Sequence, residues 1–205
     1  MQGIKNIIFD LGGVLLNINY QLTNKAFTDL GVKNFTELYS QFHANALFEN
    51  LETGRVSDED FVAQLRPHIP GHVTDQQVLD AWNAMLLDFP LARLQLLQQL
   101  RLHYNLYLLS NTNAIHLREV NKILEQSRGI PSLAAFFDKS YYSHLIGFRK
   151  PEKEAYQVIL DENNLRPEET LFIDDTLPNV DAASHLGIQV IHLQAPKTVL
   201  DIFRK

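Results

Sequence analysis

The sequence predicts an α/β fold, a Rossmann-like doubly wound parallel sheet with an inserted α-helical cap subdomain. Two observations lead to this prediction. Short apolar runs of β-prone residues alternate with helical segments over residues 91–205, as in parallel sheets with right-handed crossovers. Residues 17–90 instead carry helical patterning without a clear strand. We therefore assign residues 1–16 and 91–205 to a core domain and residues 17–90 to the cap.

The composition limits the classes of function. A chain of 205 residues, 45% of them hydrophobic, can bury one sizeable core. Its net charge of −6 and its lack of a long basic run argue against a nucleic-acid or anionic-membrane binder. No run approaches the roughly 18 apolar residues of a membrane span, and no signal peptide is evident. We expect a cytoplasmic protein without disulfides, since there is no cysteine; its oligomeric state is left open.

The first strand is predicted at residues 7–9, a continuous apolar run typical of a strand that is buried on both faces. Asp10 follows it directly, and Gly12 and Gly13 permit a tight turn and the close approach of a ligand. Ligand sites in open α/β sheets lie beyond the carboxyl ends of the strands. Taken alone, the stretch also fits an ordinary glycine turn with a surface aspartate.

The cap region is predicted to consist of four helices. Gly31 is expected to end the first helix, and Ser57 with Asp60 resembles a capping box at the start of the third. Pro90 marks the return of the chain to the core domain. The predicted helices span residues 22–30, 35–48, 57–65 and 75–87.

The remainder of the core domain alternates between the two element types. Leucine-rich and amphipathic stretches predict helices at residues 91–103, 115–126, 151–163 and 179–186, with a short one from residue 198. Largely apolar runs predict strands at residues 105–109, 170–173 and 188–193, and a weaker strand is predicted at residues 139–143.

Polar residues follow several of these predicted strands. Ser110 and Asn111 follow one strand, Lys150 comes after the next, and Asp174 and Asp175 follow another. Each has an ordinary explanation as a turn residue, a helix cap or a solvated lysine. The carboxyl ends of parallel strands, however, share one edge of the sheet, so we expect these side chains to converge with that of Asp10. Two adjacent carboxylates also repel each other unless a cation lies beside them.

Over nearly its whole length the chain resembles the haloacid dehalogenase superfamily. Four family motifs match in order, at residues 9–14, 108–111, 150–151 and 172–175. The helical block is similar in place and size to the family's α-helical cap, which is inserted after the first motif and closes over the phosphate site.

The resemblance implies a role for each residue that binds or attacks phosphate. Asp10 would attack phosphorus to form an aspartyl-phosphate, which water then hydrolyses. Lys150 would neutralise charge on the nucleophile and on the phosphoryl oxygens. Ser110 and the backbone of Asn111 would donate hydrogen bonds to a phosphoryl oxygen.

The resemblance also implies Mg²⁺ as the cofactor. Asp10, Asp174, Asp175 and the backbone carbonyl of Gly12 would supply the hard oxygen ligands that this ion prefers. Which of Asp174 and Asp175 binds the ion directly is left open.

Gly12 departs from the family pattern. Most phosphatases of the family carry a second aspartate there, which acts as general acid and base, and its loss costs about 10²- to 10⁴-fold in rate. A cap histidine such as His43 is one replacement. A good leaving group, such as an anomeric phosphate, is the interpretation that we favour, and weak turnover is the third.

We therefore expect a Mg²⁺-dependent phosphatase of a small phosphorylated metabolite, with sugar phosphates favoured. A phosphometabolite-binding or regulatory protein with weak turnover is the alternative. A 2-haloacid dehalogenase is disfavoured because Asp174 and Asp175 would add charge beside the nucleophile; a phosphoglucomutase-like phosphotransferase also stays open. Glu52 and Arg55, between cap helices, are candidates to contact a sugar or a second charged group, although a solvated loop is the simpler interpretation.

Overall fold

The computed structural model describes residues 3–44 and 46–204, without the side chains of residues 40–44. A five-stranded sheet forms its centre, in the order β3-β2-β1-β4-β5, and every pairing is parallel. This sheet, flanked by helices, confirms the predicted α/β fold. The strands are β1 (Asn6–Phe9), β2 (Asn105–Ser110), β3 (Lys139–Tyr142), β4 (Thr170–Asp174) and β5 (Gln189–His192).

The helices fall into two groups along the chain. Among the described residues, none of them is long and apolar enough to cross a membrane. Between β1 and β2 lie α1 (Tyr20–Asp29), α2 (Phe35–Ala44), α3 (Leu47–Glu52), α4 (Asp58–Leu65), α5 (Asp75–Asn83) and α6 (Leu91–Leu100). The later helices are α7 (Ala114–Arg128), α8 (Ser143–Ile146), α9 (Lys153–Glu162), α10 (Leu177–His185) and α11 (Val199–Phe203).

The central strand β1 is apolar throughout residues 7–9 because helices cover both faces of the sheet. Ile7 and Phe9 belong to a hydrophobic cluster that includes residues of α6 and α7, whereas Ile8 belongs to a second cluster with residues of α9. All three side chains are completely buried. Their burial places Asp10, the next residue, at the centre of the carboxyl edge of the sheet.

Helices α1 to α5 pack around an aromatic cluster of their own. The Phe48 and Trp82 rings stack with centroids 5.2 Å apart, and Phe61 lies against both. Ile115 of α7 joins this cluster, so the helical segment packs against the rest of the chain. The domain boundaries at residues 16/17 and 90/91 stay predictions.

Two antiparallel segments connect the helical segment to the sheet. The backbone N–H of Asn19 donates to the carbonyl of Met85, and that of Leu87 to the carbonyl of Asn17. The helix predicted at residues 75–87 therefore ends early, at Asn83, because the residues after it extend to pair with the outgoing connection.

The helix predicted at residues 35–48 is also wrong in extent. Ala46 has a left-handed backbone (φ 62°), and α3 begins after it. The new direction buries Leu47, Phe48 and Leu51 in the aromatic cluster. Part of the stretch predicted as a loop around Glu52 is consequently helical, because packing in the tertiary structure outweighs the local pattern.

His116 of α7 lies buried against helix α5. Its ring stacks on Trp82 with centroids 5.0 Å apart, and Nδ1 lies 2.9 Å from Oδ1 of Asn83. Burial lowers the pKa of His116 from 6.5 to about 3. The protein therefore holds the neutral imidazole at neutral pH.

This histidine is expected to make stability depend on pH. Its pKa is lower in the folded than in the unfolded state, so the stability it contributes is complete above pH 6.5 and is lost as pH falls towards about 3. The loss is at most about 1.4 kcal/mol per pH unit. Urea unfolding of H116Q at pH 5 and 7 should show a smaller pH dependence than wild type, whereas H103Q, at an exposed histidine, should match wild type. Equal pH dependence of H116Q and wild type would contradict this account.

Candidate active site

Three carboxylates meet at the carboxyl edge of the sheet. Asp10 follows β1, Asp174 ends the neighbouring strand β4, and Asp175 comes next in the chain. One oxygen from each carboxylate lies within 4.8 Å of the others. The structure thus brings together the predicted nucleophile and the predicted pair of aspartates.

Lys150 joins this cluster from a buried position. Its Nζ lies 2.5 Å from Oδ1 of Asp10 and 2.7 Å from Oδ2 of Asp174. Burial by itself lowers the pKa of Lys150, but the two carboxylates outweigh that effect and raise it. The side chain is therefore a charged ammonium that orients one oxygen of Asp10.

The position of Lys150 in the chain differs from the prediction, which placed it at the end of a strand. Strand β3 ends at Tyr142, and α8 intervenes before Lys150, so this residue does not lie at a strand end. Asn111 holds it instead: its side-chain Oδ1 accepts from the backbone N–H of Lys150, and its Nδ2 donates to the Lys150 carbonyl, both at 2.8 Å. The Asn111 side chain is thus a positioning group that the sequence did not reveal.

Asp174 is held on both of its oxygens. The Asn179 amide donates to Oδ1 and Oδ2 at 3.2 and 3.1 Å, and the backbone N–H of Thr176 donates to Oδ1 at 2.7 Å. Asn179 lies in the first turn of α10, immediately after the aspartate pair. Its place in that turn is its only signal in the sequence.

Asp175 approaches the backbone of Gly13. A Cβ at Gly13 would lie 2.2 Å from Oδ2 of Asp175, and Gly13 has a left-handed backbone (φ 74°). Both observations require glycine there. Burial and the Asp174 charge raise the pKa of Asp175.

The cluster carries more negative than positive charge. Burial, reinforced by Asp174 and Asp175, raises the pKa of Asp10 to about 7 even though Lys150 lowers it. Three carboxylates beside one lysine leave an excess of negative charge that a divalent cation would neutralise. Their hard oxygen donors fit Mg²⁺.

A cavity of about 390 Å³ opens over this cluster. Its lining includes Asp10, Gly12, Asn111, Lys150 and Asp175, and Tyr20, Tyr39 and Glu52 line it from the helical segment. Ser110, which is buried, lines a smaller adjacent cavity of about 100 Å³.

An apolar cavity of about 380 Å³ adjoins the cavity above the carboxylates. The two share Tyr20 and Tyr39, and the apolar one is closed by residues that include Phe35 and Met85. Tyr20 is 65% exposed, and the negative charges of Asp10 and Asp175 contribute to a raised pKa of its hydroxyl. Tyr20 therefore keeps its hydroxyl proton at neutral pH. It lies between the cavity above the carboxylates and the apolar cavity.

A family model of haloacid dehalogenase-like hydrolases matches residues 4–187 of the chain. The chain belongs to this family. The D-ribitol-5-phosphate phosphatase of Bacteroides thetaiotaomicron is 32% identical over 186 residues, which cover 91% of this chain and 90% of that protein. The sesquiterpene phosphatase of Aspergillus oryzae is 28% identical over 193 residues, covering 92% and 89%.

Solved structures of the haloacid dehalogenase family agree with this assignment. An enzyme from Bacteroides thetaiotaomicron, in complex with magnesium and inorganic phosphate, is 35% identical with a TM-score of 0.90 and covers 98% of this chain and 100% of its own. A hydrolase from Porphyromonas gingivalis is 33% identical with a TM-score of 0.86, covering 98% of each chain. The L-2-haloacid dehalogenase of Xanthobacter autotrophicus, at 21% identity and a TM-score of 0.59, shares the fold.

Gly12 is where this member of the haloacid dehalogenase family departs from the expected pattern. A Cβ at Gly12 would lie 3.0 Å from Cδ1 of Ile18, so the connection to the helical segment occupies the adjoining space. His43, the histidine proposed to replace a general acid, belongs to α2, but its side chain lies outside the described residues. Arg55 is exposed and is not among the residues that line the cavity.

Proposed function

We propose that the chain is a Mg²⁺-dependent phosphatase that hydrolyses a small polyol or sugar phosphate through an aspartyl-phosphate. Its coarser class, a phosphoric monoester hydrolase of the haloacid dehalogenase family, rests on the family model and the phosphatase relatives. The observation that carries the proposal is the convergence of Asp10, Lys150 and the Asp174–Asp175 pair under one cavity.

The chemistry follows from the positions of these groups. An oxygen of Asp10 attacks phosphorus, the bond from phosphorus to the leaving oxygen breaks, and water later cleaves the acyl phosphate to release inorganic phosphate. Lys150 keeps the Asp10 carboxylate in one orientation and neutralises part of the negative charge.

Asp10, Asp174, Asp175 and the carbonyl of Gly12 would hold the metal. When bound, Mg²⁺ supplies charge neutralisation for the phosphoryl oxygens. Asn179 and the backbone of Thr176 fix Asp174 in place, and this restricts the geometry in which the carboxylates meet a cation.

The ribitol-phosphate relative supports a polyol phosphate as the substrate class. The ester in ribitol 5-phosphate is a primary alkyl phosphate, so activation at an anomeric carbon is not needed by that relative. For the present chain, a good leaving group and another proton source for the leaving oxygen both stay open as explanations of Gly12.

The apolar cavity favours a second substrate class, a phosphate ester with an apolar leaving group. Tyr20 and Tyr39 line both cavities, so an apolar leaving group would extend from the phosphate into the apolar cavity. The sesquiterpene phosphatase relative is in keeping with this alternative.

Phosphate release from a substrate panel tests the proposal. The panel comprises ribitol 5-phosphate, glucose 6-phosphate, glucose 1-phosphate and farnesyl phosphate, each with Mg²⁺ and with a chelator. We expect the highest kcat/KM on ribitol 5-phosphate and a loss of about 100-fold or more with the chelator, because uncompensated carboxylates repel the phosphate. Added Mg²⁺ should restore the rate.

Other outcomes of the panel would contradict the proposal in different ways. Preference for glucose 1-phosphate would favour the leaving-group account, and preference for farnesyl phosphate would favour the apolar substrate class. Transfer of the phosphoryl group to an added sugar would indicate a phosphotransferase. Release of halide from 2-chloropropionate would indicate a dehalogenase. Binding of the phosphate esters without turnover would indicate that the protein binds a phosphorylated metabolite but does not hydrolyse it.

A further inference from the structure

We propose that Glu52 determines the leaving group that this site accepts, an inference that rests on the phosphatase function proposed above. Its carboxylate accepts hydrogen bonds from the hydroxyl groups of a polyol and repels a second anionic group. The site therefore takes polyhydroxylated monophosphates and discriminates against bisphosphates and phosphorylated carboxylic acids.

Glu52 reaches the cavity from the end of α3, where it meets a residue of the core domain. Its Oε2 lies 3.0 Å from Nη2 of Arg149, and each side chain is about one-quarter exposed (26% and 25%). Both residues line the cavity that contains Asp10. Arg149 directly precedes Lys150, so the Glu52–Arg149 pair lies beside the phosphate site.

The end of α3 is held against the core domain by a backbone contact. Gly54 has a left-handed backbone (φ 70°), and a Cβ there would lie 2.3 Å from the carbonyl oxygen of His144 in α8. Thr53 also caps α3 by donating from Oγ1 to the carbonyl of Glu49 at 2.8 Å. Glu52 thus lies at a helix end that packs closely against α8, and such support is what a selective group needs.

The charge of Glu52 decides what it selects. A carboxylate is an acceptor with about four lone-pair positions, so Glu52 can accept from substrate hydroxyls in addition to Arg149. Glu52 also balances the charge of Arg149, and Lys150 is engaged by Asp10 and Asp174. Among the described residues that line the cavity, both cations are therefore paired, and a second anionic group would meet the Glu52 carboxylate instead.

The test compares two substrates in wild type and E52Q. Ribitol 5-phosphate carries hydroxyls on its leaving group, whereas 4-nitrophenyl phosphate carries none. In E52Q we expect kcat/KM on ribitol 5-phosphate to fall about tenfold to a hundredfold, mainly through KM, because a hydrogen bond to a charged acceptor is lost. The rate on 4-nitrophenyl phosphate should fall much less, so that the ratio between the two substrates changes, because this leaving group has no hydroxyl whose hydrogen bond could be lost.

A matched control and a wild-type measurement complete the test. E49Q makes the same change one turn earlier on α3, outside the residues that line the cavity, and should behave as wild type on both substrates. Without any substitution, wild type should hydrolyse 5-phosphoribonate at least about tenfold less efficiently than ribitol 5-phosphate, because it has a carboxylate at the far end. E52Q should reduce this difference.

The two proposals fail in different ways. If wild type hydrolyses 4-nitrophenyl phosphate with Mg²⁺ but E52Q leaves the ratio between the substrates unchanged, Glu52 does not select and the phosphatase function stands. Equal rates of wild type on ribitol 5-phosphate and 5-phosphoribonate would also overturn the inference. If wild type releases phosphate from no substrate, the phosphatase function itself is wrong.

Discussion

Replacing Asp10 with asparagine is expected to lower phosphate release by about 10⁴-fold or more, because the substitution removes the nucleophile while leaving its shape. Asparagine retains an amide oxygen beside Lys150, so the fold and the cavity should persist. One negative charge close to the phosphate disappears, and the affinity for inorganic phosphate should survive or rise.

This experiment needs two readouts and one control. Phosphate release measures turnover, and calorimetric titration of inorganic phosphate with Mg²⁺ measures binding. D181N makes the same chemical change at an exposed aspartate of α10 and should leave both quantities unchanged. Full phosphatase activity in D10N would refute the aspartyl-phosphate mechanism, whereas equal phosphate binding without turnover in wild type and D10N would indicate a binding protein.

The fold could be predicted because its determinants are local in the sequence. Residues 7–9 and 171–173 are apolar without interruption, since both faces of their strands are covered, and each run ends where a carboxylate begins. Ser57 likewise fixes the start of α4, because its side chain accepts from the backbone N–H of Asp60. Such signals need no knowledge of the tertiary structure.

Other features depend on residues far apart in the chain. The break at Ala46 follows from packing into the aromatic cluster, and alanine carries no local signal for it. Asn111 acts on Lys150, and Glu52 meets Arg149, across long sequence separations. A sequence pattern can name such residues as candidates, but it cannot pair them.

The contacts of Lys150 with Asp10 and Asp174 are expected to support both the stability and the activity of the protein. Replacing it with methionine keeps the length and most of the volume of the side chain but leaves Asp10 and Asp174 without their shared cation. Removing one partner of a buried ion pair costs about 3–5 kcal/mol in free energy of unfolding. Phosphate release should fall by about 10²- to 10³-fold, since a preorganised positive charge is lost from the transition state.

The pH dependence of this loss separates an electrostatic role from simple packing. In the metal-free protein the pKa of Asp10 is raised from 3.8 to about 7, so the stability this group contributes is complete below pH 3.8 and is lost as pH rises through 7. Lys150 lowers that pKa, so K150M should raise it further and lose more stability at pH 8 than at pH 5.

Urea unfolding of wild type and K150M at pH 5 and pH 8, with Mg²⁺ and with a chelator, measures these differences. Mg²⁺ should recover part of the stability of K150M at pH 8, because it neutralises the same carboxylates that the lysine served. K153M, at an exposed lysine at the start of α9, should unfold and turn over as wild type does. If K150M loses the same stability at both pH values and Mg²⁺ does not restore any, packing and not charge makes Lys150 necessary. In that case charge repulsion among the three carboxylates would not require a cation beside them.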